Sequence, residues 1–400
     1  MKFEAYDEFL KEYNKYNYHN CECGGVRELS VEDLEVVIEN RSMLFEEFIL
    51  LTCLDCGTSC LPQYSKQMIG GCYKIMIDEG HLKGVQRYNG YKKQFNYCLE
   101  QNFTYDHRDY YNIPGLCFDE EHSEEGFLVP VYFSKKVLLY FMHDPDYKMM
   151  LFSETYGHLR FRDEWDVPFG INRNGIVVFW LGDLNYMDST SLSYMKPHNI
   201  QSDHQLVQSE FYAAQMSCAW SQPNKELNVC YKKKELFEQF QKRYGVDLFH
   251  LDEEVTEHMN AFIKPVIITT RSIESAINML HKVLIEGVNI SSFKKLYLQL
   301  YPQPQKGFED WKSIKLYQAV LENVVKKDDD IKDIIAPLYL LNDLRQYYDH
   351  LLPKEKRSNI EGNIIKSLGI SSFKNIDEVY IGLIDKLNIL FQYLIVGYSD

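Results

Sequence analysis

Arg345 and His350 are separated by four residues in the run Leu340-Leu-Asn-Asp-Leu-Arg-Gln-Tyr-Tyr-Asp-His-Leu-Leu352, which stops at Pro353. Arginine keeps its charge at any working pH, and histidine titrates near neutrality. Such a pair suits a phosphodiester. The imidazole can move the proton of a ribose 2′-hydroxyl while the guanidinium steadies the charge that builds on the phosphate. Five positions along an ideal helix set two side chains well apart around the axis. Pro353 cannot continue the hydrogen-bond ladder, so it enforces a helix end nearby, and arginine's reach covers the remaining distance. Leu340, Leu341, Leu344 and Leu351 are expected to anchor the helix and leave the polar pair at a rim. Asp343 and Asp349 are placed to orient either group, and Lys354, Lys356 and Arg357 follow directly as candidate holders of flanking phosphates. A helix-end ion pair between Arg345 and Asp349, with His350 at the negative end of the helix dipole, accounts for the same residues without chemistry.

A second constellation lies near the N-terminus. Cys21-Glu-Cys23-Gly-Gly and Cys53-Leu-Asp-Cys56-Gly-Thr are two short-spaced pairs, each followed by glycine. A close pair on a tight turn supplies two of the four soft ligands that tetrahedral zinc requires. Two such knuckles separated by a helix-sized insert give a zinc-ribbon-like arrangement around a structural zinc, with Cys60 and His19 as substitute ligands. Four thiolates leave no open position for water, which argues against a catalytic metal. Buried thiols in a cysteine-rich segment are the plain alternative.

These groups must be positioned by elements legible in the pattern. Four hundred residues suggest several domains. The expected class is an α+β multidomain protein. It comprises a cysteine-rich, zinc-ribbon-like region over residues 1–120, a mixed α/β domain over 121–253 and an all-α bundle over 254–400. In the first region helices are expected from Glu4 to Tyr16 and from Ser30 to Leu44, the latter from a cap residue followed by early acids. In the middle region, Gly126–Ser134 and Lys136–Met142 have the length of strands, and Asn172-Arg-Asn-Gly175 is a turn leading into a strand from Ile176. The last region has helical stripes at 272–285, 308–325, 329–352, 358–368 and 375–396, with Pro337 expected to kink or divide the third. Between them, Lys196-Pro-His198-Asn-Ile-Gln-Ser-Asp203-His204 carries metal-capable groups, although Ser202 or Asp203 as a helix cap explains it equally.

Net charge is −15, which argues against a chain coated with nucleic-acid-binding surface, yet acids and bases nearly balance from residue 254 onward. The charged N-terminus lacks the apolar run of a signal peptide, and no stretch is read as a membrane span. A cytoplasmic location with mostly reduced cysteines and no membrane partner is expected.

The segment from Pro337 to Leu352 resembles the Arg-x4-6-His helix of the HEPN superfamily, at a late helix of an all-helical domain. The resemblance covers the last third of the chain and carries over Arg345 and His350; Gln346 stands where Asn, Asp or His is common, and Glu274 is a candidate assisting acid. It implies a metal-independent endoribonuclease acting on RNA, of the kind found in toxins and anti-phage defence. It further implies a homodimer and a regulatory protein or small molecule as trigger. The alternative class is a non-catalytic, zinc-stabilised scaffold that binds a partner.

Overall fold

The computed structural model describes residues 1–13, 20–88, 92–117, 125–322 and 330–399. It is a mixed α/β protein with two sheets and, among the described residues, fifteen α-helices. It divides into two compact units, Met1–Gln222 and Pro223–Asp400. The expected breaks at 120 and 253 both fall inside units. Residues 1–120 and the strand-rich segment after them share one unit because buried polar groups tie them together. The Glu28 carboxylate, 2% exposed, accepts the backbone amides of Leu206, Val207 and Gln208 at 3.1, 2.8 and 2.6 Å.

The N-terminal unit starts with β1 (Lys2–Phe3), α1 (Tyr6–Tyr13), β2 (Arg27–Ile38) and β3 (Arg41–Cys53). Then come β4 (Ser59–Cys60), α2 (Gln63–Asp78), β5 (Lys83–Arg87) and α3 (His107–Asn112). The helix expected at Ser30–Leu44 is instead a hairpin, turning at Glu39–Asn40 with Ile38 paired to Arg41. Its pattern has period two: Leu34, Val36 and Ile38 are buried on β2, and Met43 and Phe45 on β3. That alternation fits a one-faced strand and overrides the cap signal. β1 pairs in parallel with β2, β4 antiparallel with β3, and β5 in parallel with β3. Phe9 of α1 and Ile69 and Tyr73 of α2 pack against Val36, Met43 and Phe45 of this sheet.

A second sheet has the order β11-β6-β10-β9-β8-β7 and is antiparallel throughout. Its strands are β6 (Pro130–Phe133), β7 (Tyr147–Leu151), β8 (Tyr156–Phe161), β9 (Trp165–Ile171), β10 (Val177–Trp180) and β11 (Asn199–Ile200). The turn at 172–175 is as expected; Asn172 N–H bonds Ile176 C=O at 2.8 Å and Gly175 adopts φ of 75°. Lys136–Met142 is not a strand: a 3-10 turn at Lys135–Val137 runs into α4 (Leu138–His143). Val137, Leu138 and Phe141 bury one helical face there. Three short helices complete the unit: α5 (Leu181–Leu184), α6 (Ser189–Met195) and α7 (Glu210–Ser217). Neither Ser202 nor Asp203 caps α7, whose cap is Ser209.

The C-terminal unit is helical, as the apolar stripes require. It contains α8 (Lys225–Tyr244), α9 (Asp252–Asn260), α10 (Thr270–His281) and α11 (Ile290–Leu300). After these come α12 (Ser313–Leu321), α13 (Ile331–Asp349), α14 (Lys354–Leu368) and α15 (Ile376–Ser399). Pro337 lies inside α13, which stays continuous. Its core joins Phe237, Ile277, Leu280, Phe293, Tyr317, Leu341, Leu344, Leu383 and Phe391. The expectation that no stretch reaches membrane-span length needs correction. Ile376–Gly397 spans 22 residues at a mean hydropathy of 1.5, and 50% of that window is buried. α8 binds this helix through polar contacts: Tyr380 Oη donates to Glu226 at 2.9 Å and Lys225 pairs with Asp385 at 2.7 Å.

Candidate functional site

In the N-terminal unit four sulfurs converge. Cys21, Cys23, Cys53 and Cys56 place all their Sγ atoms within 4.8 Å of one another. Cys21 Sγ lies 3.5 Å from Cys56 Sγ, and Cys23 Sγ 3.6 Å from Cys53 Sγ. Zn–S bonds of about 2.3 Å in a tetrahedron imply sulfur separations near ~3.8 Å, close to this spacing. The β2–β3 register creates the cluster. Arg27 pairs with Cys53, so the loop entering β2 and the turn leaving β3 sit at the same end of one hairpin. The insert between the knuckles is therefore this hairpin and not a helix.

Backbone geometry shapes both knuckles. Cys21 N–H donates to Gly25 C=O at 2.8 Å, and Gly57 N–H to Cys53 C=O at 3.0 Å. Gly24 and Gly57 hold φ of 90° and 72°, a region open to glycine at little cost. A Cβ on Gly25 would stand 2.4 Å from Asp55 Oδ2 and 2.8 Å from Cys53 Sγ, so the tight approach admits no side chain. Thr58's hydroxyl and amide, with the sulfurs of Cys21 and Cys23, draw the Cys56 thiol down to about 6. Gly25's amide favours the Cys23 thiolate, but the hydrogen-bonding sulfurs of Cys56, Cys53 and Cys21 outweigh it and hold that thiol at about 12. Ionising all four side by side is costly unless a cation lies among them. The cluster can hold a metal ion. Cys60 sits on β4 opposite Leu51 and is not one of the four, and His19 lies outside the described residues. Among the described residues, none of the ten cysteines is joined in a disulfide.

In the helical unit, α13 ends at Asp349 and His350 leaves the helix with φ of −118° and ψ of 144°. That departure brings the imidazole back toward the guanidinium: Arg345 Nη1 lies 3.1 Å from His350 Nε2. Arginine can only donate, so Nε2 is the acceptor in this contact. Arg345 also pairs through Nε with Asp349 Oδ2 at 3.1 Å, with its side chain 31% exposed. Asn278 on α10 donates to the other Asp349 oxygen at 2.8 Å. The pair sits at a solvent-reached rim, as the leucine pattern implied: Leu340, Leu341 and Leu344 are buried, while Leu351 is fully exposed and anchors nothing.

Sequence reasoning missed the opposing wall. On α10, His281 is buried and reaches Asn342 Oδ1 through Nε2 at 3.4 Å and Glu286 Oε1 through Nδ1 at 3.1 Å. Burial lowers its pKa, with Glu286 opposing and Arg345 adding to the shift. A π-helical turn at Lys282–Glu286, closed by Gly287 N–H to Lys282 C=O at 2.7 Å, brings residues five apart together and lets Glu286 fold back on His281. The signal in the sequence is a polar stripe inside apolar helices: Asn278 and His281 on α10, and Asn342, Arg345 and Asp349 on α13.

Lys354, Lys356 and Arg357 lie in the first turn of α14, all exposed. Arg357 stacks its guanidinium over the Tyr347 ring at 4.6 Å. Burial raises the Asp343 carboxyl, and Lys356 opposes that shift. Glu274 is half-buried on α10 and adds to the upward shift of Tyr348, whose main cause is burial. The loop at 196–204 assembles no metal site among the described residues. There His204 Nδ1 and Ser202 Oγ both meet the buried Asp109 carboxylate at 2.6 Å, and Asp203 accepts from Asn172 and Asn174.

No known protein family, curated protein or solved structure matches the chain.

Proposed function

We propose that the helical unit is a metal-independent endoribonuclease of HEPN type, acting as a toxin or anti-phage effector. The observation that carries this reading is the 3.1 Å Arg345–His350 contact at an exposed helix end. As Arg345 turns from His350 Nε2 to the phosphate, that nitrogen is freed to take the proton of a ribose 2′-hydroxyl while the oxygen attacks the adjacent phosphorus. The bond from phosphorus to the 5′-oxygen breaks, and that oxygen takes a proton from water as it leaves, giving a 2′,3′-cyclic phosphate and a 5′-hydroxyl. Arg345 donates to the phosphoryl oxygens as their charge increases. The exposed Lys354 and Lys356, at the amide-bearing end of α14, attract flanking phosphates. A homodimer belongs to this reading, and α15 offers an apolar stripe for it: Ile381, Ile389 and Val396 are 49%, 68% and 54% exposed. The four cysteines hold a structural zinc in the N-terminal unit, a full S4 set with no position left for water.

The test is purified protein incubated with total RNA, beside Arg345→Ala and His350→Ala. Loss of cleavage in both variants, with melting unchanged, supports the nuclease. Cleavage by the double variant at the parental rate removes it. A second reading, a zinc-stabilised scaffold without catalysis, is favoured by the Arg345–Asp349 and Asp349–Asn278 contacts, which lock a helix end without need of a substrate. Intact RNA with the parental protein would leave that reading standing.

A further inference from the structure

The N-terminal unit has a cavity of about 340 Å³ that neither the sulfur cluster nor the helical pair uses. It forms where the edge of β3 is left uncovered. β5 pairs with Ser42–Glu46 and β4 with Leu51–Thr52, so among the described residues the strand between them has no neighbour on that side. Side chains take over the exposed carbonyls: Arg108 Nη1 donates to Glu47 C=O at 2.9 Å, and Ser65 Oγ to Ile49 C=O at 3.0 Å. The floor is a buried polar layer in which Ser65, 2% exposed, also meets Asn112 Oδ1 at 3.0 Å. Glu47 holds φ of 51°, an uncommon setting for a side-chain-bearing residue, and Asp33 Oδ1 supports it by accepting its amide at 3.0 Å.

The walls are flat and aromatic. Tyr64 stacks on Tyr111 with centroids 4.8 Å apart and planes 19° from parallel. Tyr88 carries the Arg108 guanidinium on its face at 4.1 Å. These are surfaces on which a planar ring stacks. At the rim, the Gln86 amide and Glu47 carboxylate make no side-chain hydrogen bond among the described residues, so a donor–acceptor ring edge would find partners there. The charges argue against a polyphosphate. Arg87, Lys93 and Arg108 are each already paired with a carboxylate, of Glu46, Glu125 and Asp106 respectively. The volume is at the low end for ligand pockets and suits one small molecule.

We propose that this cavity binds a single nucleoside, its base stacked among Tyr64, Tyr88 and Tyr111 and its edge read by Gln86 and Glu47. The proposal stands apart from the nuclease reading, because it uses none of that site's residues. Isothermal titration of the full-length protein with adenosine, guanosine, cytidine and uridine, each to millimolar concentration, tests it. Saturable one-to-one binding of at least one nucleoside is expected. Tyr64→Ala, at a half-exposed position, should weaken that binding about tenfold or more without changing the melting temperature, and Gln86→Ala should alter the preference among bases. Three results overturn the proposal: no heat from any of the four, affinity retained in Tyr64→Ala, or a nucleoside monophosphate binding more than about tenfold tighter than its nucleoside.

Discussion

The sulfur cluster and the arginine–histidine pair are built in opposite ways. Four cysteines separated by as many as 35 residues meet because one hairpin register brings its two ends together. Arg345 and His350 meet because a single helix stops between Asp349 and Pro353. The contrast extends through the units that carry them. The N-terminal unit is stitched by distant polar anchors, such as Glu28 on residues 206–208 and Asp109 on His204. The helical unit is held mainly by apolar stripes and local caps, with Glu226–Tyr380 and Lys225–Asp385 as polar anchors between α8 and α15. A site made by register should fail as a whole when one member is lost, whereas a site made by a helix end should lose its chemistry and keep its fold.

The largest expected effect is on the cluster. Cys53→Ser, or treatment with a strong chelator, should lower the melting of the N-terminal unit by about 10 °C or more, since metal affinity contributes directly to folding. Calorimetry with elemental analysis checks this, and a chain that carries no metal and melts unchanged would break the contrast at its stronger end. Next come Arg345→Ala and His350→Ala, each expected to reduce RNA cleavage by about a hundredfold or more with melting intact. A large fall in melting temperature would make the pair a structural lock instead.

Smaller effects sharpen the distinction between distant anchors and local caps. Glu28→Ala leaves three amides, two of them buried, without their acceptor and should cost about 3 kcal/mol by denaturant titration. Asp183, on α5, has its carboxyl raised to about 7 by burial alone. The folded chain therefore holds this proton more tightly than the unfolded chain. Its contribution is full at low pH and is lost as pH rises from the usual carboxylate range through about 7. Asp183→Asn should stabilise the unit by about 2 kcal/mol near pH ~8.5 and change little near pH ~4. Smallest is Thr269→Ala in the helical unit. It removes one half of the capping box with Ser272 and should cost about 1 kcal/mol. A cost at Thr269 equal to that at Glu28 would erase the difference between the two modes of construction.

The expected helices at 272–285, 329–352, 358–368 and 375–396 correspond to α10, α13, α14 and α15 within a few residues, because a stripe every three or four residues is a local property. The same local signal misleads at Ser30–Leu44, which is a hairpin. A cap-like serine and early acids looked helical there, while the alternation of Leu34, Val36 and Ile38 answered to a strand partner. Lys136–Met142 failed in the reverse direction, since a short apolar run carries no period long enough to separate helix from strand. His281 and its π turn were hidden because a histidine within an apolar stripe looks like filler until the facing helix supplies Asn342.

The residue order alone thus determined which side chains could do chemistry: two cysteine pairs on glycine turns, and an arginine and a histidine at a proline-stopped helix end. The tertiary structure decided what faces them. Register placed Cys21 and Cys23 against Cys53 and Cys56, helix packing set Asn278 and His281 beside α13, and an uncovered strand edge left a cavity walled by tyrosines. The reason is one of range. Helix periodicity and turn chemistry are written within about ten neighbouring residues, whereas strand pairing and the walls of a site depend on contacts between residues far apart in the chain, whose partners no local pattern names.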